Sequence, residues 1–272
     1  MRVRAVRGTE CRERPDRLVT EEPLEIRVDT AHHPAEPVAV TMRTPGHDFD
    51  LAAGFLFTEQ LATPHDVVSV SYCTDVDRAQ EYNTVTVRLR RAVPLRERRF
   101  AVNASCGVCG ATTIADALRD TTPVGAGPTV RRSTLAELPA ALRQHQDVFD
   151  ATGGLHAAGV FRPDGTPVLV REDVGRHNAL DKVIGNLGLA GDLPAGDLVL
   201  AVSGRVSFEI VQKAAVAGIP CVAGVSAPSS LAVELARSAG LLLVGFVRDG
   251  GFNVYAGEAR LVDAPRQDAV VP

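Results

Sequence analysis

Two thiols stand three positions apart in Asn103-Ala-Ser-Cys-Gly-Val-Cys-Gly110, followed by a stretch with helical spacing. Gly107 and Gly110 permit close backbone approach and unusual dihedral angles beside the two sulfurs. A cysteine near a helix N-terminus gains from unpaired N–H groups and the helix dipole, which favour the thiolate. Cys106 and Cys109 could therefore be a reactive sulfur pair, a redox dithiol, half of a zinc site or two inert thiols. A structural zinc site needs a further ligand pair, and the sequence has no second CxxC. The thioredoxin arrangement does not fit, because this motif follows a long strand-rich segment and sits beside Ser105 and Val108. Zinc deaminase chemistry requires H-x-E together with P-C-x-x-C. None of the seven histidines has a Glu two positions later, and Ser105 precedes Cys106. Deaminase chemistry is therefore not expected, while a half zinc site on the two thiols stays open.

A second group of residues could hold an anion. Arg176 and His177, within Arg171-Glu-Asp-Val-Gly-Arg-His-Asn-Ala-Leu-Asp-Lys182, stand at a predicted strand-to-helix junction, where N–H groups and positive side chains coincide. Asp173 and Asp181 are expected to orient these cations. The plain alternative is a capped helix with solvent-exposed charges. His156, in Gly153-Gly-Leu-His-Ala-Ala-Gly159, reads by itself as a satisfied, partly buried histidine.

Ser203-Gly204-Arg205-Val-Ser207 again follows an apolar strand and opens a helix, and Ala227-Pro-Ser229-Ser230 repeats the pattern one strand later. Glycine lets a ligand reach the backbone, and Arg205 offers a planar fork to a phosphate. Ligands of open α/β sheets bind outside the carboxyl ends of the strands, so two consecutive loops of this kind favour a nucleotide or phosphate site over ordinary turns. In Phe246-Val-Arg-Asp-Gly-Gly-Phe-Asn-Val-Tyr255, Arg248 could reach the same ligand; otherwise the segment is a hairpin with an exposed Arg-Asp tip.

The elements that must position these groups divide the 272 residues into two parts. In 1–110, a polar, Arg-rich arm or edge strand precedes alternating strands at Leu24–Val28 and Val38–Met42. A helix over Asp48–Leu61 and strands at Val67–Tyr72 and Asn83–Arg90 complete a strand-rich α+β module that ends in the CxxC loop. In 111–272, helices are predicted at Thr113–Arg119 and at Leu135–Asp150, the latter with Ser133 or Thr134 as N-cap. A hairpin through Pro163-Asp-Gly165 follows. Strands at Leu198–Ser203, Cys221–Ser226 and Leu241–Val247 then alternate with helices at His177–Leu187, Phe208–Ala217 and Ser230–Ala239. Continuous apolar strands separated by helices imply crossovers and a layered α/β sheet with helices on both faces.

Composition sets outer bounds. Apolar residues make up 45%, charged residues 23% and aromatics 4% with no Trp, so the core must be built from Val, Leu, Ile and Ala. A net charge of −4 argues against a general nucleic-acid binder, leaving local cation clusters to hold any anion. No apolar run reaches the ~18 residues of a membrane helix, and the basic N-terminus lacks the apolar stretch of a signal peptide. With five cysteines, an odd number, reduced thiols in the cytoplasm are expected rather than a disulfide framework.

Seven ordered blocks resemble the formate dehydrogenase accessory sulfurtransferase family, FdhD. They are Thr44-Pro-Gly with the helix after it, Ser105–Gly110, Gly153–Gly159, Arg171–Lys182, Ser203–Glu209, Ser226–Ser230 and Gly245–Arg248, and together they span nearly the whole chain beyond the arm. The resemblance implies a cytidine-deaminase-like fold for 111–272 without the deaminase zinc. It also implies a sulfur carrier that takes sulfur from a cysteine desulfurase and passes it to the molybdenum cofactor, in its bis(molybdopterin guanine dinucleotide) form, before insertion into formate dehydrogenase. The persulfide would form on Cys106 with Cys109 as partner thiol. The family's cofactor-binding stretch maps onto Phe246, Val247, Arg248, Asp249, Gly250 and Gly251. Arg176, His177, Ser203, Gly204, Arg205, Ser229 and Ser230 would hold the phosphates, and a guanine nucleotide could mimic the cofactor. A homodimer is expected, since a ligand with two nucleotide arms can be shared. The alternative is a chaperone that shelters the cofactor without sulfur chemistry; a zinc-dependent structural or hydrolytic protein is a third class.

Overall fold

The computed structural model describes residues 1–30, 33–73, 82–91, 100–102 and 123–263. Cys106, Cys109 and the predicted helix over Thr113–Arg119 lie outside the described residues.

The N-terminal arm is a hairpin of β1 (Arg2–Arg7) and β2 (Glu10–Pro15). A five-stranded sheet follows, built from β3 (Glu22–Thr30), β4 (His33–Arg43), β5 (Val67–Tyr72), β6 (Thr84–Leu89) and β7 (Phe100–Val102), in the order β5-β6-β3-β4-β7. Leu24, Ile26 and Val28 alternate with polar residues, so one face of β3 is apolar, and that face is buried. Helix α1 (Asp48–Thr58) covers it with Leu51, Ala52, Phe55 and Leu56.

The second half begins with β8 (Val130–Arg131), α2 (Arg132–Arg143) and α3 (Asp147–Thr152). A six-stranded sheet of order β10-β9-β11-β12-β13-β14 follows, comprising β9 (His156–Phe161), β10 (Pro167–Asp173), β11 (Val199–Val202), β12 (Cys221–Gly224), β13 (Leu242–Arg248) and β14 (Gly251–Ala256). The inner strands β11, β12 and β13 run parallel, whereas β9, β10 and β14 pair antiparallel. Crossover helices α5 (Phe208–Val216) and α6 (Ser230–Ser238) join the parallel strands, and α4 (Arg176–Ala190) links β10 to β11. Alternate strand residues feed two cores. Val160, Leu200, Val222 and Leu243 pack with α4, α5 and α6; Phe161, Ala201, Ala223 and Val244 pack with Leu135, Leu138 and Leu142 of α2. Helices thus lie on both faces, as the sequence predicts.

The predicted helix over Leu135–Asp150 is two helices. The last apolar contact of α2 is Leu142, and α3 restarts where the Glu172 carboxylate accepts the amides of Val148 (3.0 Å) and Phe149 (2.8 Å). Ser133 and Thr134 do not cap α2, because β8 pairs with β15 (Leu261–Val262) up to Arg131 and the helix starts directly from it.

The two halves meet through glycine. A Cβ on Gly54 of α1 would stand 1.9 Å from the Asp181 carbonyl oxygen, and one on Gly185 of α4 would stand 1.8 Å from that of Asp50. The helices therefore touch backbone to backbone, and Ala53 and Phe57 of α1 join the core of the second half. Cys221 is fully buried on β12, and burial raises its thiol to about 11. We expect iodoacetamide to leave Cys221 unmodified in native protein at about pH 8 while labelling the exposed Cys11, with peptide mass mapping as the readout.

Candidate functional site

The carboxyl ends of β11, β12 and β13 are stitched into one surface. The Val206 amide donates to the Ala227 carbonyl (3.1 Å), the Ser229 amide to Val206 (3.0 Å) and the Phe246 amide to Ser226 (3.2 Å). Close approach explains the glycines here. A Cβ on Gly224 would meet Val206 Cγ2 at 2.4 Å, and one on Gly245 would meet Pro228 Cδ at 2.9 Å. The Ser203-Gly204-Arg205 loop, the Ser229-Ser230 loop and the start of the Phe246–Gly251 segment are therefore adjacent.

The start of α4 faces the first of these loops. A Cβ on Gly204 would lie 3.3 Å from His156 Nδ1 and 3.9 Å from Arg176 Cδ, so both side chains sit over the glycine backbone. His177 Nε2 lies 3.2 Å from Ser207 Oγ and 2.9 Å from Glu209 Oε2. Among the described residues, the buried side-chain atoms lacking a hydrogen-bond partner are Thr30 Oγ1, Arg176 Nε and Glu209 Oε1, so two of these three belong to this site. Buried polar atoms are normally satisfied, and a vacant donor beside two strand-end loops suits an incoming oxyanion.

Asp173 and Asp181 do not orient Arg176 and His177. Asp173, fully buried, pairs with Lys182 at 2.7 Å and accepts the amides of Thr44 (3.1 Å) and Gly175 (2.8 Å) and the Asn178 side chain (3.1 Å). Asp181 pairs with Lys213 through both oxygens, at 2.8 and 2.9 Å, and accepts the Thr58 hydroxyl. The carboxylate that meets His177 is Glu209, which sequence reasoning did not single out. His177 and Asp181 are four apart on α4, as are Glu209 and Lys213 on α5, so the His177–Glu209 contact sits a helical turn above the Asp181–Lys213 ion pair. Asp173, Asp181, Lys182 and Lys213 are buried, which removes the reading of a merely solvated helix face.

The remaining predicted site residues divide by environment. Ser203 Oγ accepts the Ala157 amide at 2.9 Å, and its hydroxyl proton can still donate. Ser229 caps α6 by accepting the Ala232 amide (3.2 Å), and Ser230, Arg205 and Arg248 are exposed. The Arg248 guanidinium lies 5.5 Å from the centre of the Phe246 ring. Asp249 and Gly250 adopt left-handed φ (+53° and +75°), forming a tight two-residue turn before Gly251. Val247 is fully buried with the α2-side core, so its side chain faces away from the loops.

Electrostatics follow from the geometry. Burial lowers the pKa of His156, and Arg176, His177 and Arg205 lower it further against the opposing pull of Asp173. His156 is therefore neutral near pH 7.

The molecule is thus a layered α/β protein in which the glycine-containing loops at the parallel strand ends bring His156, Arg176 and His177 together. Residues 19–262 match the FdhD/NarQ family, and the chain belongs to it. It is 53% identical over 268 residues to the sulfur carrier protein FdhD of Nocardia farcinica, covering 96% of this chain and 94% of the relative. It is 52% identical over 259 residues to the protein of the same name from Streptomyces coelicolor, covering 91% and 90%. Its fold matches the crystal structure of a putative formate dehydrogenase accessory protein from Desulfotalea psychrophila, with a TM-score of 0.75 at 20% identity over 96% of this chain and 98% of the other. Among the described residues no helix is long and apolar enough to cross a membrane.

Proposed function

We propose that this chain is a sulfur carrier for formate dehydrogenase maturation. It takes sulfur from a cysteine desulfurase as a Cys106 persulfide and passes it to the bis(molybdopterin guanine dinucleotide) form of the molybdenum cofactor, its substrate. The names carried by relatives of about half-identical sequence support the sulfur role. The geometric observation that carries the reading is the meeting of two features at the start of α4. Arg176 and His177 face the strand-end loops there, and two residues on Asn178 holds β4, through Met42 O (2.8 Å) and Thr41 Oγ1 (3.3 Å). Thr41 pairs with Val102 of β7, four residues ahead of Cys106.

In the first step the Cys106 thiolate attacks the terminal sulfur of the donor persulfide. One S–S bond forms, the donor's S–S bond breaks, and the donor cysteine leaves as a thiolate. Arg176, His177 and Arg205, with Ser203, Ser229 and Ser230, would hold the cofactor phosphates by charge-assisted hydrogen bonds, and Phe246–Gly251 would hold a nucleotide arm. The division at residue 110, a deaminase-like architecture for 111–272, the homodimer and the cytoplasmic location belong to the same proposal. A ligand with two nucleotide arms gives two copies a reason to share it.

Incubation with a cysteine desulfurase and cysteine, followed by peptide mass spectrometry, tests the reading. A gain of about 32 Da on the Cys106 peptide is expected. Cofactor binding with no such gain would leave only the sheltering chaperone.

A further inference from the structure

We propose that His156 is a ligand-binding residue of the strand-end site and that an oxyanion entering the site brings one proton with it, onto the imidazole. The inference rests on reading this site as the anion site, and it adds a residue and a proton to it.

The surroundings of His156 are unbalanced in charge. Its ring edge lies over Gly204, with the Arg176 stem against the same glycine. The groups that face it are Arg176 and His177 from α4, Arg205 from the loop after β11 and Asp173 from β10. The one carboxylate among them is already committed. Asp173 Oδ1 accepts Gly175 and Asn178, and its Oδ2 is shared by Lys182 and the Thr44 amide. The nearby Glu209 is engaged by His177. Two guanidinium groups, one with a buried N–H that has no acceptor, therefore surround a half-buried imidazole with little negative charge left over for it.

Burial and like charge explain why the imidazole stays neutral when no anion is present. An oxyanion that accepts from Arg176 Nε reverses the sign of the field at His156. The ring can then carry a second N–H and donate it to the ligand. Binding and proton uptake are linked, so affinity must rise as pH falls between the imidazole pKa of the free protein and that of the complex. Such a site favours a dianionic group over a monoanionic one.

Sulfate is the suitable probe, because it stays a dianion throughout this range. Calorimetric titration with sulfate in buffers of different ionisation enthalpy, near pH 6.5, should show uptake of about half a proton per sulfate, the most that a tenfold change in affinity allows. Sulfate should bind about tenfold more tightly at about pH 5.5 than at about pH 8, a factor of ten for each unit by which the ligand raises the imidazole pKa. H156Q should still bind through Arg176 and Arg205, but with a flat pH profile and no proton uptake. Proton uptake that persists in H156Q overturns the assignment, as does pH-independent binding by the wild type, and in both cases the anion site itself stands. Failure of sulfate to bind at any pH overturns the anion site together with the inference. The wild-type pH profile tests the linkage by itself, and circular dichroism of H156Q shows that the variant compared with it is folded.

Discussion

Cys106→Ala is expected to yield folded protein at ordinary levels while the formate dehydrogenase of the same cell stays inactive. Activity should fall by a factor on the order of 10³ or more, the size of loss that follows removal of a covalent carrier. Folding is expected to survive, because the change removes one sulfur atom and adds no bulk. The measurements are formate oxidation in extracts carrying the variant and circular dichroism of the purified protein. Unimpaired formate oxidation would remove Cys106 as the carrier. Cys109→Ala separates the roles further. A persulfide that still forms on Cys106, with delivery lost, assigns Cys109 to release; loss of the persulfide itself assigns Cys109 to loading.

Gly185→Val should break the seam between α1 and α4. Its Cβ would lie 1.8 Å from the Asp50 carbonyl and 2.6 Å from the Gly54 amide, both backbone atoms that no rotamer change can move aside. Relief requires α1 and α4 to part, which opens the packing of Ala53 and Phe57 against the second half. The destabilisation should reach about 4 kcal/mol or more, at the upper end for point mutations. In a protein of this size that corresponds to a fall in Tm of about 10 °C or more. Gly125→Ala is the control, since its Cβ would meet nothing within 4 Å and a change within about 0.5 kcal/mol is expected. Thermal unfolding of both variants checks the pair, and a Gly185→Val Tm equal to that of wild type would show that the seam yields.

Much of the fold was legible because its signals are local. Alternation at Leu24–Val28, continuous apolar runs at Val199–Val202 and Cys221–Gly224 and the Asp249-Gly250 turn each depend on neighbouring residues, and each appears where local physics puts it. The loops of the candidate site were legible for the same reason, since small residues at the ends of apolar strands mark close backbone approach. The pairing of charges was not. Asp173 and Asp181 were expected to serve Arg176 and His177 because they are close along the chain, yet helical geometry sends Asp181 toward Lys213. His177 instead finds Glu209, 32 positions away on another helix. The matching four-residue spacings, His177 with Asp181 and Glu209 with Lys213, held the answer, but it emerges only once two helices are known to lie side by side. The burial of Val247 follows from its place at the end of the apolar run Leu241–Val247, whereas the left-handed Phe246 just before it carries no signal in the sequence.

The glycine seam between α1 and α4 also limits how the two halves can move. Jaw-like closure needs a compliant layer of side chains on which two bodies can roll, and at Gly54 and Gly185 the main chains leave no room for one. About this seam the halves are moored, like a berth rather than a clamp.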